Sequence, residues 1–173
     1  MIAQIIFVVA ALFGVIGVQQ KKKRSILAFF ATSTLMASVA FIFLEAYSGS
    51  VSLFMMSIFA VISYLFDKKN RSVPNWLMIL FIIATVSLGA LTVQAITDVI
   101  PIVASVCYVV AVTRKQEKYI RLFTAINLVL WVSFDAITSA YAAVLTDGAF
   151  AISTIIAIVR YDVLPKLKKR QSS

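Results

Sequence analysis

The sequence predicts an all-α membrane protein, a polytopic bundle of seven transmembrane helices in one domain. Of its 173 residues, 62% are hydrophobic and the mean hydropathy is +1.00, whereas soluble domains are roughly 45–50% apolar. Charged residues make up 13% of the chain and fall in short blocks between long apolar runs. Because these blocks lie at predicted helix ends, membrane orientation explains the net charge of +9 better than nucleic-acid binding.

Seven apolar runs of helical length follow one another along the chain. They cover residues 2–18, 26–46, 51–66, 76–94, 99–112, 120–139 and 148–159. Several are shorter than the ~20 residues that cross a bilayer, so we expect their ends to extend into flanking polar residues. Five spans remain the alternative, if the weaker runs pair as re-entrant segments.

Local signals place the ends of several runs. Residues 48–50 predict a turn after the second span, and residues 141–147 predict a loop before the seventh. Asp98 is placed to cap the fifth span, and Pro101 falls in its first turn, where a missing N–H costs little. Trp76 is placed like an interfacial anchor of the fourth span.

The basic residues predict the orientation of the chain. Every lysine and arginine lies in the loops after the first, third and fifth spans, at the start of the sixth span (Arg121), or from Arg160 onwards. The opposite side carries Glu45, Asp98 and Asp147. The positive-inside rule then puts the N-terminus outside and the C-terminus in the cytoplasm. The first span is expected to be a retained helix, because its positive block follows the apolar run.

The C-terminal tail, residues 161–173, is predicted to be a basic cytoplasmic segment. Four of its side chains are expected to contact anionic lipid, each contributing about 1 kcal/mol. They are Lys166, Lys168, Lys169 and Arg170.

An internal repeat appears when the chain is laid on itself at an offset of 94 residues. The matches include Ile26 with Ile120, and the pair Ala46-Tyr47 with Ala140-Tyr141. This predicts a first three-helix repeat in residues 1–66, a linker helix in 76–94 and a second repeat in 97–160. The odd linker makes the repeats parallel, a SWEET-like or PQ-loop-like plan with a substrate site at the repeat interface.

Polar side chains mark one face of the sixth span at steps of three and four residues. They are Thr124, Asn127, Trp131, Asp135 and Thr138. An ionised Asp135 inside a bilayer costs a few kcal/mol or more. It therefore needs a partner, a proton or a water-filled cavity.

Four of these residues form the candidate substrate site. Asp135 is predicted to carry a charge or proton, Asn127 and Thr124 to make polar contacts, and Trp131 to form a wall. Structural alternatives stay open: Asp135 pairs with another helix or reaches the outer surface, and the other three serve only interhelical packing or hydrogen bonding.

The second span supplies a secondary set, Thr34, Ser38 and Glu45, on one helix face. The repeat lays Phe41 on Asp135, so both acidic faces are expected to open into one outward vestibule. The alternative is that Glu45 is simply solvated at the interface.

Missing residue types exclude several classes of site. The chain has no histidine and one cysteine, Cys107, which is expected to be a small core residue. Histidine-ligated metals and Ser–His or Cys–His nucleophiles are therefore excluded. We expect neither an enzyme nor a bound cofactor or metal.

The run from Pro101 to Arg160 resembles the YgjV family of bacterial inner-membrane proteins. The resemblance rests on Pro101, Arg121, Trp131, the pair Asp147-Gly148, Phe150 and the closing Ile158-Val159-Arg160. It implies a multi-span inner-membrane protein without an established biochemical role. The chain departs from the family's polar pattern at Ala40, Met56, Phe59 and Phe134, which puts a site formed by that pattern in doubt.

Two functions follow as expectations. The first is passive or proton-coupled movement of a small polar solute between the two repeats. The second is a non-transporting receptor-like or assembly protein of the lipid bilayer, in which the repeat is only scaffold. The sequence leaves the substrate, the coupling ion and the oligomeric state open.

Overall fold

The computed structural model describes residues 2–165, which fold into seven α-helices. These are α1 (Ile2–Val18), α2 (Lys23–Ile42), α3 (Tyr47–Lys68), α4 (Asn75–Ala90), α5 (Val99–Thr113), α6 (Glu117–Ile137) and α7 (Tyr141–Ile158). A 3₁₀ turn, Ile96–Asp98, precedes α5, and a π-helical segment, Val159–Val163, follows α7. The predicted all-α class with seven helices is confirmed.

Five of the described helices are long and apolar enough to cross a membrane. They are α2, α3, α6, α5 with its preceding 3₁₀ turn, and α7 with its π segment. Helices α1 and α4 are apolar but shorter, with 17 and 16 residues. At 1.5 Å per residue they reach about 25 Å, somewhat less than a bilayer core.

The two predicted turns next to α3 and α7 lie in the wrong places. Residues 48–50 belong to the first turn of α3, and residues 141–147 form the first two turns of α7. The chain reverses earlier, at Glu45 and Ser139, which both adopt a left-handed backbone with φ 57°. This conformation ends a helix in a Schellman motif, usually with glycine. Neither position is a glycine, so the sequence carried no signal for it.

The two chain reversals have the same hydrogen-bond pattern as well as the same φ angle. Ala46 N donates to Phe41 O at 3.1 Å, and Ala140 N donates to Asp135 O at 2.9 Å. Both bonds are the 6→1 bond of a Schellman motif. The two turns lie 94 residues apart and have the same geometry.

The predicted cap of α5 by Asp98 is wrong. The Asp98 carboxylate accepts bonds from the amides of Gln94 (2.8 Å) and Ala95 (3.0 Å) instead. It thereby stabilises the 3₁₀ turn, and Ser48 Oγ of α3 also donates to it at 3.2 Å. Pro101 does lie in the first turn of α5, as predicted.

Consecutive helices pack against each other in two groups, which we call the first half (α1–α3) and the second half (α5–α7). The most extensive contacts between the halves are those of α1 with α7 and of α3 with α5. Helix α4 lies on the outside against α5 and α3, ending at Ala90 rather than at residue 94. Trp76 lies exposed at its start.

Glycine allows a close approach between α1 and α7. A Cβ atom on Gly14 would lie 2.8 Å from Cε1 of Phe150, closer than van der Waals contact permits. A Cβ atom on Gly148 of α7, by contrast, would have no other atom within 4 Å. The first glycine is therefore required by packing, and the second is not.

The basic segments meet at one end of the bundle, which we call the basic end. Arg24 donates to the carboxylate of Asp67 at 3.1 Å and to Asn70 Oδ1 at 2.8 Å within the first half. Lys23 Nζ reaches across to the carbonyl of Arg114 at 2.8 Å. The opposite end, with the turns at Glu45 and Ser139, is the acidic end.

Arg121 forms a buried tie across the basic end. It pairs with Asp162 at 3.0 Å and donates to the carbonyls of Val18 (3.4 Å) and Gln20 (3.2 Å). Gln19 Nε2 adds bonds of 3.0 Å to the carbonyl and the hydroxyl of Ser153. The predicted lipid contacts of Lys166, Lys168, Lys169 and Arg170 lie outside the described residues.

Candidate functional site

A small cavity of about 60 Å³ lies between the two halves. Helices α1, α2 and α3 form one side of it, and α5, α6 and α7 form the other. Its lining includes Phe7, Ala10, Phe30, Ser33, Thr34, Phe41, Leu53, Met56, Tyr108, Thr124, Asn127, Trp131, Asp135, Asp147 and Phe150.

The polar face of α6 meets this cavity. Thr124, Asn127, Trp131 and Asp135 are all buried, and all four line it. Thr138 is the exception, because its hydroxyl donates to the carbonyl of Phe134 near the helix end. The structure thus brings the four primary candidate residues together, and their contact with a substrate stays a prediction.

Several buried polar atoms on the cavity wall have no hydrogen-bond partner among the described residues. They are both carboxylate oxygens of Asp135, Thr124 Oγ1, Trp131 Nε1 and Tyr108 OH. A buried polar group left without a partner costs about 1–3 kcal/mol. A cavity needs roughly 10–15 Å³ of such space to hold one water, so this cavity has room for more than one. Water or a polar solute in it would satisfy these groups.

Asn127 has a structural bond as well as a place in the cavity wall. Its Nδ2 donates to the carbonyl of Ala104 in α5 at 2.7 Å. In the first half, Ser33 Oγ donates to the carbonyl of Ala10 in α1, also at 2.7 Å. Donors and acceptors in these two bonds are each 94 residues apart. Asn127 therefore joins two helices, as its structural alternative predicted.

The secondary candidates do not gather at the cavity. Thr34 lines it but donates its hydroxyl to Phe30 O at 2.8 Å. Ser38 Oγ donates to the carbonyl of Ser50 at 2.9 Å and lies away from the lining. Glu45 is exposed, because the reversal of the chain at this residue turns it off the face of α2.

Asp147 is the residue that sequence reasoning misplaced. It was expected in an outer loop, but it lies two turns inside α7 and lines the cavity. The offset of 94 lays Tyr47 on Tyr141, and these residues begin α3 and α7. The sequence did not show this, because both helix starts were expected later, at residues 51 and 148.

The two sides of the cavity differ in chemistry at positions 94 residues apart, which we call offset pairs. Phe41 pairs with Asp135, and Leu53 pairs with Asp147, all four lining the cavity. Phe30 pairs with Thr124 in the same way. In each of these three pairs the first half supplies the apolar residue and the second half supplies the polar one.

The four positions that depart from the family pattern carry apolar side chains in or around the cavity. Met56 lines the cavity, whereas Ala40, Phe59 and Phe134 are buried in the surrounding core. Cys107 is half-buried in α5. Within residues 2–165, no group of three or more Cys, Asp or Glu side chains is arranged to hold a metal ion.

Comparison with known proteins adds one finding. No curated protein and no solved structure matches this chain, so the SWEET-like plan stays a prediction. A family model described as a bacterial inner membrane protein, Imp-YgjV, matches residues 1–164. Together with the apolar helices, this match shows that the chain belongs to the Imp-YgjV family of bacterial inner membrane proteins.

Proposed function

We propose that this protein moves a small polar solute across the bacterial inner membrane through the cavity between its halves. Asp135 is the charge-bearing group of the route, Thr124 and Asn127 make polar contacts, and Trp131 forms the wall. The observation that carries the proposal is the set of unpartnered buried polar atoms on one cavity. Each such atom costs free energy in a dry core, and five of the nine found in the described residues lie on this cavity.

The position of the cavity supports the same function. In transporters built from parallel repeats, the substrate site lies at the repeat interface near the midplane. The 3+1+3 repeat is part of the proposal, and three observations support it. The Schellman turns, the two interhelical bonds and the packing of α1 on α7 and α3 on α5 all correspond at the offset of 94 residues.

The orientation is part of the proposal too. The gathering of the basic segments at one end supports a cytoplasmic basic end, by the positive-inside rule. Asp135 lies near the C-terminal end of α6, closer to the acidic end. In this orientation, Asp135 lies toward the side of the membrane from which an external solute would arrive.

A flux measurement tests the proposal. Purified protein in proteoliposomes is given labelled urea, glycine, ethanolamine or sulfate, four small solutes of different charge. We expect at least one solute to enter faster than in protein-free liposomes, and the gain to disappear in Asp135→Asn. Glu45→Gln is the matched control, because Glu45 is exposed and away from the cavity, and it should keep wild-type flux.

Two outcomes oppose transport. Wild-type uptake equal to that of protein-free liposomes for all four solutes argues against it. Uptake that is unchanged in Asp135→Asn would show that transport does not use this cavity. A membrane protein that co-purifies at fixed stoichiometry, together with absent flux, would favour the assembly role instead.

A further inference from the structure

We propose that the solute of this cavity is a small organic ammonium ion of about two to four heavy atoms, held between Asp135 and Asp147. This assignment rests on the proposed function, since it names the substrate class of the same site. It follows from the charge of the cavity wall, the rings around it and its size.

The charge of the wall comes first. Asp135 and Asp147 both line the cavity, and none of the lining residues within 2–165 is a lysine or arginine. The other buried or half-buried aspartates are used differently. Asp67 and Asp162 pair with arginines, and Asp98 accepts backbone amides. Asp135 is 0% exposed and its two oxygens have no partner in the described chain. A cation in the cavity would supply the missing charge and donors.

Aromatic rings form much of the remaining wall. They are Phe7, Phe30, Phe41, Tyr108, Trp131 and Phe150. The ring centroids of Phe41 and Trp131 are 5.8 Å apart, and those of Phe30 and Phe150 are 5.9 Å apart. Aromatic faces attract organic cations and pack against their carbon groups. Inorganic ions instead exchange their hydration shell for rings of oxygens, which this wall does not offer.

Hydrogen-bond donors add a second requirement. Trp131 Nε1 can only donate, and it has no acceptor in the described chain. The hydroxyls of Thr124 and Tyr108 are also unpartnered on the cavity wall. An ammonium ion that also carries a hydroxyl oxygen would satisfy both the carboxylates and these donors.

The size of the cavity limits the solute. An engineered cavity of about 150 Å³ accepts benzene, which has six heavy atoms. The present cavity, about 60 Å³, is less than half as large. Methylammonium and ethanolamine are within this limit, whereas larger quaternary amines are not.

Tryptophan fluorescence gives a direct binding test. The chain has two tryptophans, of which Trp76 is exposed and Trp131 lines the cavity. In full-length Trp76→Phe protein, Trp131 is the single reporter. We expect ethanolamine and methylammonium chlorides to change its emission saturably. Ethylene glycol, a neutral analogue of ethanolamine, and sodium chloride at equal ionic strength should not.

Variants locate the binding site. Asp135→Asn and Asp147→Asn in the same background should each weaken ethanolamine binding at least about tenfold, equivalent to about 1.4 kcal/mol. Glu45→Gln should leave binding unchanged, and Trp131→Phe protein, with Trp76 alone, should give no signal. Circular dichroism and size-exclusion profiles identify any variant that fails to fold. Saturable binding of ethylene glycol as tight as that of ethanolamine, or no response to either amine in folded protein, overturns the assignment.

The assignment and the transport proposal fail in different ways. Asp135-dependent flux of urea, glycine or sulfate without amine binding refutes the ammonium assignment and leaves transport standing. Saturable amine binding without flux of any solute leaves the ammonium site standing and refutes transport.

Discussion

Three offset pairs on the cavity join an apolar residue of the first half to a polar residue of the second. Phe41 in the first half stands where Asp135 stands in the second, and Leu53 where Asp147 stands. The same contrast appears at the basic end, where buried Leu27 corresponds to buried Arg121.

The two halves have interhelical hydrogen bonds and helix ends in common. Ser33 and Asn127 each tie one helix to the helix before it, and Glu45 and Ser139 each end a helix in the same motif. These contacts of the fold are thus common to both halves, whereas the buried charged residues of the described chain, Arg121 and Asp135, lie in the second half. Substitutions that exchange residues within offset pairs should therefore be asymmetric in their effects.

The largest effect is expected for Arg121→Leu, which copies Leu27 of the first half. It leaves Asp162 and two carbonyls without their donor, so the free energy of unfolding should fall by about 3 kcal/mol. Unfolding in mixed detergent micelles measures this. The exposed pair offers the control: Arg24→Leu should cost less than about 1 kcal/mol. Equal losses in the two variants would show that burial of Arg121 is not what matters.

Asp135→Leu should instead stabilise the protein. Removing an unpartnered buried carboxyl group should raise the free energy of unfolding by about 2 kcal/mol, while abolishing any Asp135-dependent flux. At the other member of the offset pair, Phe41→Leu should lower it by about 1 kcal/mol, because ring contacts are lost. The same unfolding titration measures both. A destabilised Asp135→Leu would mean that the carboxylate has a partner essential to the fold.

Substitution of glycines on α1 and α7 should change the stability of the protein according to the space around each glycine. Gly14→Ala forces Phe150 to move and should cost about 1–2 kcal/mol. Gly148→Ala, in open space on the facing helix, should gain up to about 1 kcal/mol from helix propensity. Thermal unfolding of the two variants side by side tests the sign. If both stabilise the protein, α1 and α7 do not pack as closely as described.

The smallest losses in the free energy of unfolding are expected at the interhelical hydrogen bonds that occur in both halves. Ser33→Ala should cost about 0.6 kcal/mol, the average for hydrogen bonds between membrane helices, and Asn127→Ala up to about 1.7 kcal/mol. Asn127→Ala should also change ethanolamine binding, because Asn127 lies on the same cavity-lining face of α6 as Asp135. Losses of about 3 kcal/mol or more, by the same titration, would mean that these bonds are part of larger networks.

The polar face of α6 was predictable because spacing alone fixes it. A charged or amide side chain in an apolar helix marks the face turned to the interior. In α5 the marks are weaker, because no charged or amide side chain lies within it. Ser105 and Tyr108, three residues apart, are its polar side chains on the buried face, and Tyr108 reaches the cavity.

Asp147 was missed for a different reason. A carboxylate beside a glycine resembles a turn, and the sequence does not show that a non-glycine residue, Ser139, takes the left-handed conformation instead. The segment before Gly148 therefore looked like a loop. Its burial depends on tertiary packing, which no local signal records.

The ties at the basic end have a mechanical consequence. Lys23, Arg121 and Gln19 each bond across the two halves there, whereas at the acidic end Ser48 and Asp98 make the one side-chain bond between halves in the described chain. We therefore expect any rotation of one half against the other to be hinged at the basic end. Over a helix about 30 Å long, a rotation of about 10° would displace the acidic end by about 5 Å. The end nearer Asp135 is then the end that moves most.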